Sequence, residues 1–212
     1  MVNEKKLSSL YPFLNKANAS KPDLLSSIKQ KVDDSVSAKQ LFFQKNANQL
    51  IEAAQIIAKS YQQGGHLFAM GNGGSACDAA HITTEFMHPV TTGRKALAAT
   101  NLSADISTLT AVANDVGNDH IFLRQLICLA RKNDVLVGFS TSGNSENLIQ
   151  AFDQAKKLDM FTIGFSGQSG GDMAKCDSID ICLTVETDSI HRVQESHLAS
   201  YHILWDLVHS LL

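Results

Sequence analysis

Five short apolar runs, "HLFAM", "ALAAT", "VLVGF", "FTIGF" and "DICLTV", recur between residues 66 and 185, and each lies before a turn and a helical stretch. Strands that are apolar along their whole length, rather than at every second residue, must be buried on both faces, and the helices between them supply the cover. The pattern predicts an α/β fold, a doubly wound, five-stranded parallel sheet flanked by helices. Ahead of the first run, the stretch from "DLLSSIKQ" to "SYQQGG" repeats apolar residues every three or four positions until Gly64-Gly65 stops it. A second long amphipathic pattern, "HRVQESHLASYHILWDLVHSLL", closes the chain. The expected organisation is an N-terminal helical extension over 1–60 and one domain over 61–212, a size that a single core can fill.

Charge and cysteine usage narrow the function classes. A net charge of −3 without a basic stripe argues against nucleic-acid or membrane-surface binding. No apolar stretch approaches the roughly 18–20 residues that span a bilayer. The opening "MVNEKKLSSLYPFL" lacks a long apolar core and a small-residue cleavage site, so no secretion signal is expected. Cys77, Cys128, Cys176 and Cys182 form no CxxC pair, so reduced thiols in the cytoplasm are expected rather than a disulfide framework or a zinc ribbon.

In an open α/β sheet, ligands bind beyond the carboxyl ends of the strands, which directs attention to the strand-to-helix turns. The first, "MGNGGSACDAAH", satisfies G-x-G-x-x-A through Gly71, Gly73 and Ala76. No acidic residue ends the second run, "ALAATNLS", to take a ribose, so no nucleotide cofactor is expected. A tight turn serving only packing is one reading. The better one is that Gly73 and Gly74 let backbone amides approach a ligand while Asn72 and Ser75 hydrogen-bond it.

The second turn, "STSGNSEN", carries the hydroxyls of Ser140, Thr141, Ser142 and Ser145. A nucleophile elbow would need glycine where Ser142 stands, and a Walker A loop would need a lysine that the segment lacks. A phosphate cradle at a helix N-terminus remains. Capping of the first turn by Asn144 or Ser145 competes with it and accounts for part of the pattern. "AVANDVGND" adds Asn114 and Asp115, and His81 and Glu85 share one helix face at i, i+4 spacing. That pair suits a divalent metal, a base oriented by a histidine, or a plain surface pair. Gln194, His197, His202 and His209 recur in the last helix, where most histidines are expected to be structural, His209 among them.

Taken together, "GNGGSACDAAHITTEF", "AVANDVGND", "STSGNS", "GQSGGDMA" and "RVQESHLASYHILWDLV" resemble the sugar isomerase (SIS) family, and more narrowly its phosphoheptose isomerases, over residues from about 40 to 212. The resemblance implies the SIS fold and conversion of sedoheptulose 7-phosphate to glycero-manno-heptose 7-phosphate through an enediol. It implies sugar contacts from Asn72, Gly73, Gly74, Asn114 and Asp115, and a phosphate site from Ser140, Thr141, Ser142 and Ser145. It places His81, Glu85, Gln194 and His202 around the reacting carbons, where zinc-containing members hold Zn2+. Glu85 is then the candidate base and His202 the candidate acid, and homotetramers with active sites at subunit interfaces are implied. The alternative is a non-catalytic SIS regulator that binds a sugar phosphate or a protein; one such relative, a replication-initiator-binding regulator, lacks the matching glutamate and histidine. Two departures bear on the sugar: "FMHPVTTGRKAL" displaces an arginine to Arg94, and His191 stands where an acidic residue is usual.

Overall fold

The computed structural model describes residues 23–212, so the first 22 residues of the expected N-terminal extension lie outside the described part. The chain parts into two compact units between Asp33 and Asp34. The described part of the first is the start of helix α1 (Leu24–Gln62), where Asp23 Oδ1 accepts from the amides of Leu25 at 3.1 Å and Ser26 at 3.3 Å. This is the side-chain cap that a helix N-terminus favours.

The second unit runs from the rest of α1 through β1 (Leu67–Gly71), α2 (Gly74–Met87), β2 (Ala99–Asn101), α3 (Ile106–Asp115) and α4 (Leu123–Leu129). It continues with β3 (Val135–Ser140), α5 (Glu146–Lys157), β4 (Phe161–Gly167), β5 (Ile181–Val185) and α6 (Ile190–Leu211). The sheet has five strands, all parallel, in the order β2-β1-β3-β4-β5. One expectation fails: after β4 there is only a single 3₁₀ turn, Met173–Lys175, and no α-helix. "SGQSGGD" carries Gly170 and Gly171 at positive φ, and glycines in that conformation break a helix before it starts.

Both faces of the sheet are covered, which is why its strands are apolar throughout. Leu67, Ala69, Val135, Val137 and Phe139 face a core shared with α1, α2 and α6. Phe68, Met70 and Leu136 face the opposite core, built with Leu126 of α4 and Leu148, Ala151 and Phe152 of α5. Phe42, Leu50, Ala53, Ala54 and Ile57 of α1 are buried in the first core, so residues 34–62 pack within the same unit as the sheet. Among the described residues no helix is long and apolar enough to cross a membrane.

Candidate active site

Strands β1 and β3 lie side by side, but α2 follows β1 onto one face and α5 follows β3 onto the other. The chain direction reverses there, and a crevice opens beyond the strand ends. Both turns picked out in the sequence meet at that point. Two reciprocal hydrogen bonds join them: Asn72 Nδ2 donates to Asn147 Oδ1 at 2.9 Å, and Asn147 Nδ2 donates to Asn72 Oδ1 at 3.0 Å. Asn147, which is 3% exposed, was not singled out in the sequence. Its only local signal is its place in the first turn of the helix after the hydroxyl loop.

The hydroxyl loop is not capped as expected. Ser145 is the residue before α5, yet its side chain makes no capping bond; its Oγ lies 2.9 Å from Ser140 Oγ instead. Asn144 Oδ1 accepts from the amide of Asp172 at 2.9 Å, which ties the loop to the segment after β4. The cause is Gly143, at φ 69°, which turns the chain so tightly that a Cβ there would overlap the Gly170 carbonyl oxygen. Ser140 Oγ and Ser142 Oγ accept from the amides of Gly143 and Asn144, both at 3.2 Å. The N-terminus of α5 therefore presents amides without a side-chain cap, beside Thr141 and Ser142, and carries the positive end of the helix dipole. The N-terminus of α2, preceded by Gly73 at φ 54°, also lacks a side-chain cap. At α3, by contrast, Asp105 caps the helix by accepting from the amides of Ser107 and Thr108.

A second cluster forms where α2 packs on α6. Ala79, Ile82 and Phe86 meet Tyr201, Leu204 and Trp205 in the core, and this contact fixes the register of the two helices. Trp205 Nε1 donates to the Glu85 carbonyl at 2.9 Å. On the polar rim, His81 Nε2 lies 3.1 Å from Glu85 Oε1 and 3.4 Å from His202 Nε2. His81 Nδ1 lies 2.9 Å from the Tyr201 hydroxyl. Partial burial, with His81 adding, holds His202 below its ordinary pKa despite the opposing pull of Glu85, which favours a neutral imidazole.

Ligand atoms of His81, Glu85 and His202 all lie within 4.8 Å of one another. Tetrahedral zinc with donors at about 2.0–2.1 Å has donor–donor edges of about 3.3 Å, so the set fits that ion in type and spacing. Gln194 does not join the three. It stands eight residues before His202, a rise of about 12 Å along α6, and its amide packs over Gly74, where a Cβ would collide with it. It does share a cleft of about 420 Å³ with Gly74, Asp78, His81 and Tyr201. Burial pushes the Asp78 carboxyl up to about 7, and Asp78 Oδ2 has no hydrogen-bond partner among the described residues.

Asn114 and Asp115 end α3 on the surface, where Asn114 Nδ2 donates to Asp115 Oδ1 at 2.7 Å; no direct hydrogen bond links them to either cluster. His197 lies in the core, with Nε2 donating to the Ser166 carbonyl at 3.1 Å, and burial lowers its pKa to about 4. His209 stacks on Phe86 and meets Trp205 edge-on, so both His197 and His209 read as structural histidines. Arg94 pairs with Asp206 at 2.7 Å and lies over the Trp205 ring, about one turn beyond His202. His191 is exposed at the start of α6.

Crevice, uncapped helix starts and histidine–carboxylate cluster belong to one class of protein: this chain is a member of the SIS domain family, which residues 32–167 match. Within that class it is similar to the phosphoheptose isomerase of Thermodesulfovibrio yellowstonii, at 38% identity over 185 residues, covering 87% of this chain and 91% of the relative. The phosphoheptose isomerase of Helicobacter hepaticus is 44% identical over 160 residues, covering 75% and 80%. The solved structure of phosphoheptose isomerase GmhA from Neisseria gonorrhoeae superposes with a TM-score of 0.82 at 36% identity, covering 88% of this chain and 99% of that one.

Proposed function

We propose that this chain is an aldose–ketose isomerase that converts sedoheptulose 7-phosphate to glycero-manno-heptose 7-phosphate. The observation that carries the reading is the convergence of His81, Glu85 and His202 on the helix pair that flanks the crevice, with likeness to phosphoheptose isomerases along most of the chain. Isomerisation moves a proton between C1 and C2 through an enediol, so it needs a base at carbon and an acid–base group at the oxygens. Glu85 takes the C1 proton and returns it at C2. His202 gives a proton to the C2 carbonyl oxygen and removes one from the C1 hydroxyl; its lowered pKa suits a group that must take up a proton and lose it in each turnover.

Ser140, Thr141, Ser142 and Ser145, with the amides at the start of α5, hold the phosphate, and Asn72, Gly73, Gly74, Asn114 and Asp115 contact the sugar. His81, Glu85 and His202 would hold zinc, which when bound would supply a Lewis acid for the carbonyl, and Gln194 lines the cleft beside them. A metal on Glu85 weakens it as a base, so the zinc-free and zinc-loaded forms are to be assayed separately. We propose further that the chain works as a homotetramer in the cytoplasm, with active sites at the interfaces. Exposed Val36, Leu41 and Ile51 on α1 and Ile203 on α6 supply apolar surface for such contacts, and the four cysteines are free thiols. Incubating the purified protein with sedoheptulose 7-phosphate and following the aldose by NMR tests the reaction. Absence of product with and without zinc, or full activity in Glu85→Gln, would overturn it.

A further inference from the structure

The turn that carries Glu85 cannot complete its own hydrogen bonds. The donor to a helical carbonyl is the amide four residues on, and four residues after Glu85 stands Pro89, which has no N–H. The carbonyls on either side keep backbone donors: the amide of His88 donates to the Thr84 carbonyl at 2.8 Å, and that of Leu97 to the Phe86 carbonyl at 2.9 Å. For Glu85 the donor comes from another helix. Trp205 Nε1, a group that can only donate, meets its carbonyl at 2.9 Å. The indole is 9% exposed and is packed on several sides. The His209 ring meets it edge-on with centroids 4.7 Å apart, and the Arg94 guanidinium lies 5.7 Å from its ring centre. Arg94 is itself held, with Nη2 donating to Asp206 Oδ1 at 2.7 Å. An indole rotation that broke the bond to Glu85 would have to displace these groups as well.

We propose that Trp205 is a positioning residue that clamps the Glu85 turn of α2 to α6 and so sets the separation of Glu85 from His202. Trp205 lies three residues after His202, on the same face of α6, so the bond joins the backbone of one reactive residue to the near neighbour of the other. His81 and Glu85 share a helix, and its geometry keeps their spacing. The distance across to His202 has no such support, and α2 ends at Met87, only two residues beyond Glu85, where helices fray. Groups that serve adjacent carbons need their separation held to about 0.5 Å. The clamp acts through backbone and packing, and it holds whatever the charge on the imidazoles. Its link to turnover rests on the isomerase reading; the clamp itself does not.

The chain has a single tryptophan, so its indole N–H gives one signal in the ¹⁵N spectrum of the full-length protein and needs no assignment. In wild type that hydrogen is expected to exchange with water roughly a hundredfold more slowly than in a free indole. Exchange at the free rate overturns the proposal. Trp205→Phe keeps an aromatic ring and loses the donor. In that variant the amides of residues 86–88 are expected to exchange roughly tenfold faster, while those of β1 and β3 keep their wild-type rates. Unchanged exchange at 86–88 overturns the proposal. So does faster exchange throughout the chain with a lowered urea midpoint, because the indole then serves the whole fold rather than one turn. With sedoheptulose 7-phosphate, Trp205→Phe is expected to lower kcat roughly tenfold with KM within about twofold. An unchanged kcat, or a rise in KM alone, overturns the link to Glu85. If wild type turns over no sedoheptulose 7-phosphate, the isomerase reading fails, and the exchange rates still decide the clamp.

Discussion

The two ends of the crevice are built by opposite means. The hydroxyl loop is backbone architecture, in which amides at a helix start, two serine oxygens accepting from neighbouring amides and a glycine at positive φ make a site inside a few consecutive residues. The reactive end is side-chain architecture, in which His81 and His202 lie 121 positions apart and meet only because α2 packs on α6. A local turn can hold an anion because helix amides and the dipole are there in any sequence that makes the turn. Acid–base work needs titratable groups at fixed separations, and rigid helices supply them better than loops do. On the proposed function, one end governs binding and the other governs turnover, and substitutions should separate the two.

The largest effect is expected from Glu85→Gln, which keeps shape and removes the base. kcat should fall by about 10²–10⁴-fold with KM within a few-fold in steady-state assays. A pure KM effect would show that the two ends do not divide the work. Next comes Gly143→Ala, which meets the Gly170 carbonyl and must adopt φ 69°. A stability loss of order 2–4 kcal/mol in urea unfolding is expected, because the loop cannot relax without pushing the segment after β4 away. An unchanged midpoint would mean that the loop is softer than its packing indicates.

On the reactive helix itself, His197 and His202 make a sharper contrast. His197 ionises at about 4 in the fold and near 6.5 when unfolded. Above pH 6.5 neither state binds the proton and the group contributes nothing to the pH dependence. As pH falls from 6.5 to 4 only the unfolded chain takes it up, so stability drops, by of order 3 kcal/mol for this fully buried group. Urea unfolding across that window should show a flatter slope in His197→Gln than in wild type, whereas His202→Gln, which removes a less buried histidine also held low, should flatten it less and lose activity.

A smaller effect is expected at the anchor. Ser142→Ala should raise KM about tenfold with kcat within about twofold, the size of one hydrogen bond to a charged group. An equal fall in kcat would assign the loop a part in the chemistry. The smallest is Asn147→Ala, which removes the amide pair to Asn72 that joins the two turns. About 1 kcal/mol of stability and a KM rise of a few-fold are expected from unfolding and kinetics.

Local pattern carried much of this molecule in plain view. Burial on both faces demands apolar strands, so "VLVGF" and its counterparts announced the parallel sheet, and glycines with hydroxyls before helices announced the two turns. His81 and Glu85 were legible as a pair because helix geometry alone makes i and i+4 neighbours. Family likeness, and not spacing, pointed to His202, since no local rule connects residue 202 with residue 81. Tertiary structure decided the rest. It set His202 and Tyr201 on opposite nitrogens of one ring, and it paired Asn72 with Asn147. It turned Ser145 and Asn144 away from capping, and it left Gln194 two turns from the cluster. The physical reason is common to all of these. Periodicity and turn chemistry act over a few residues, whereas which side chains share a hydrogen bond is set by the packing of whole helices.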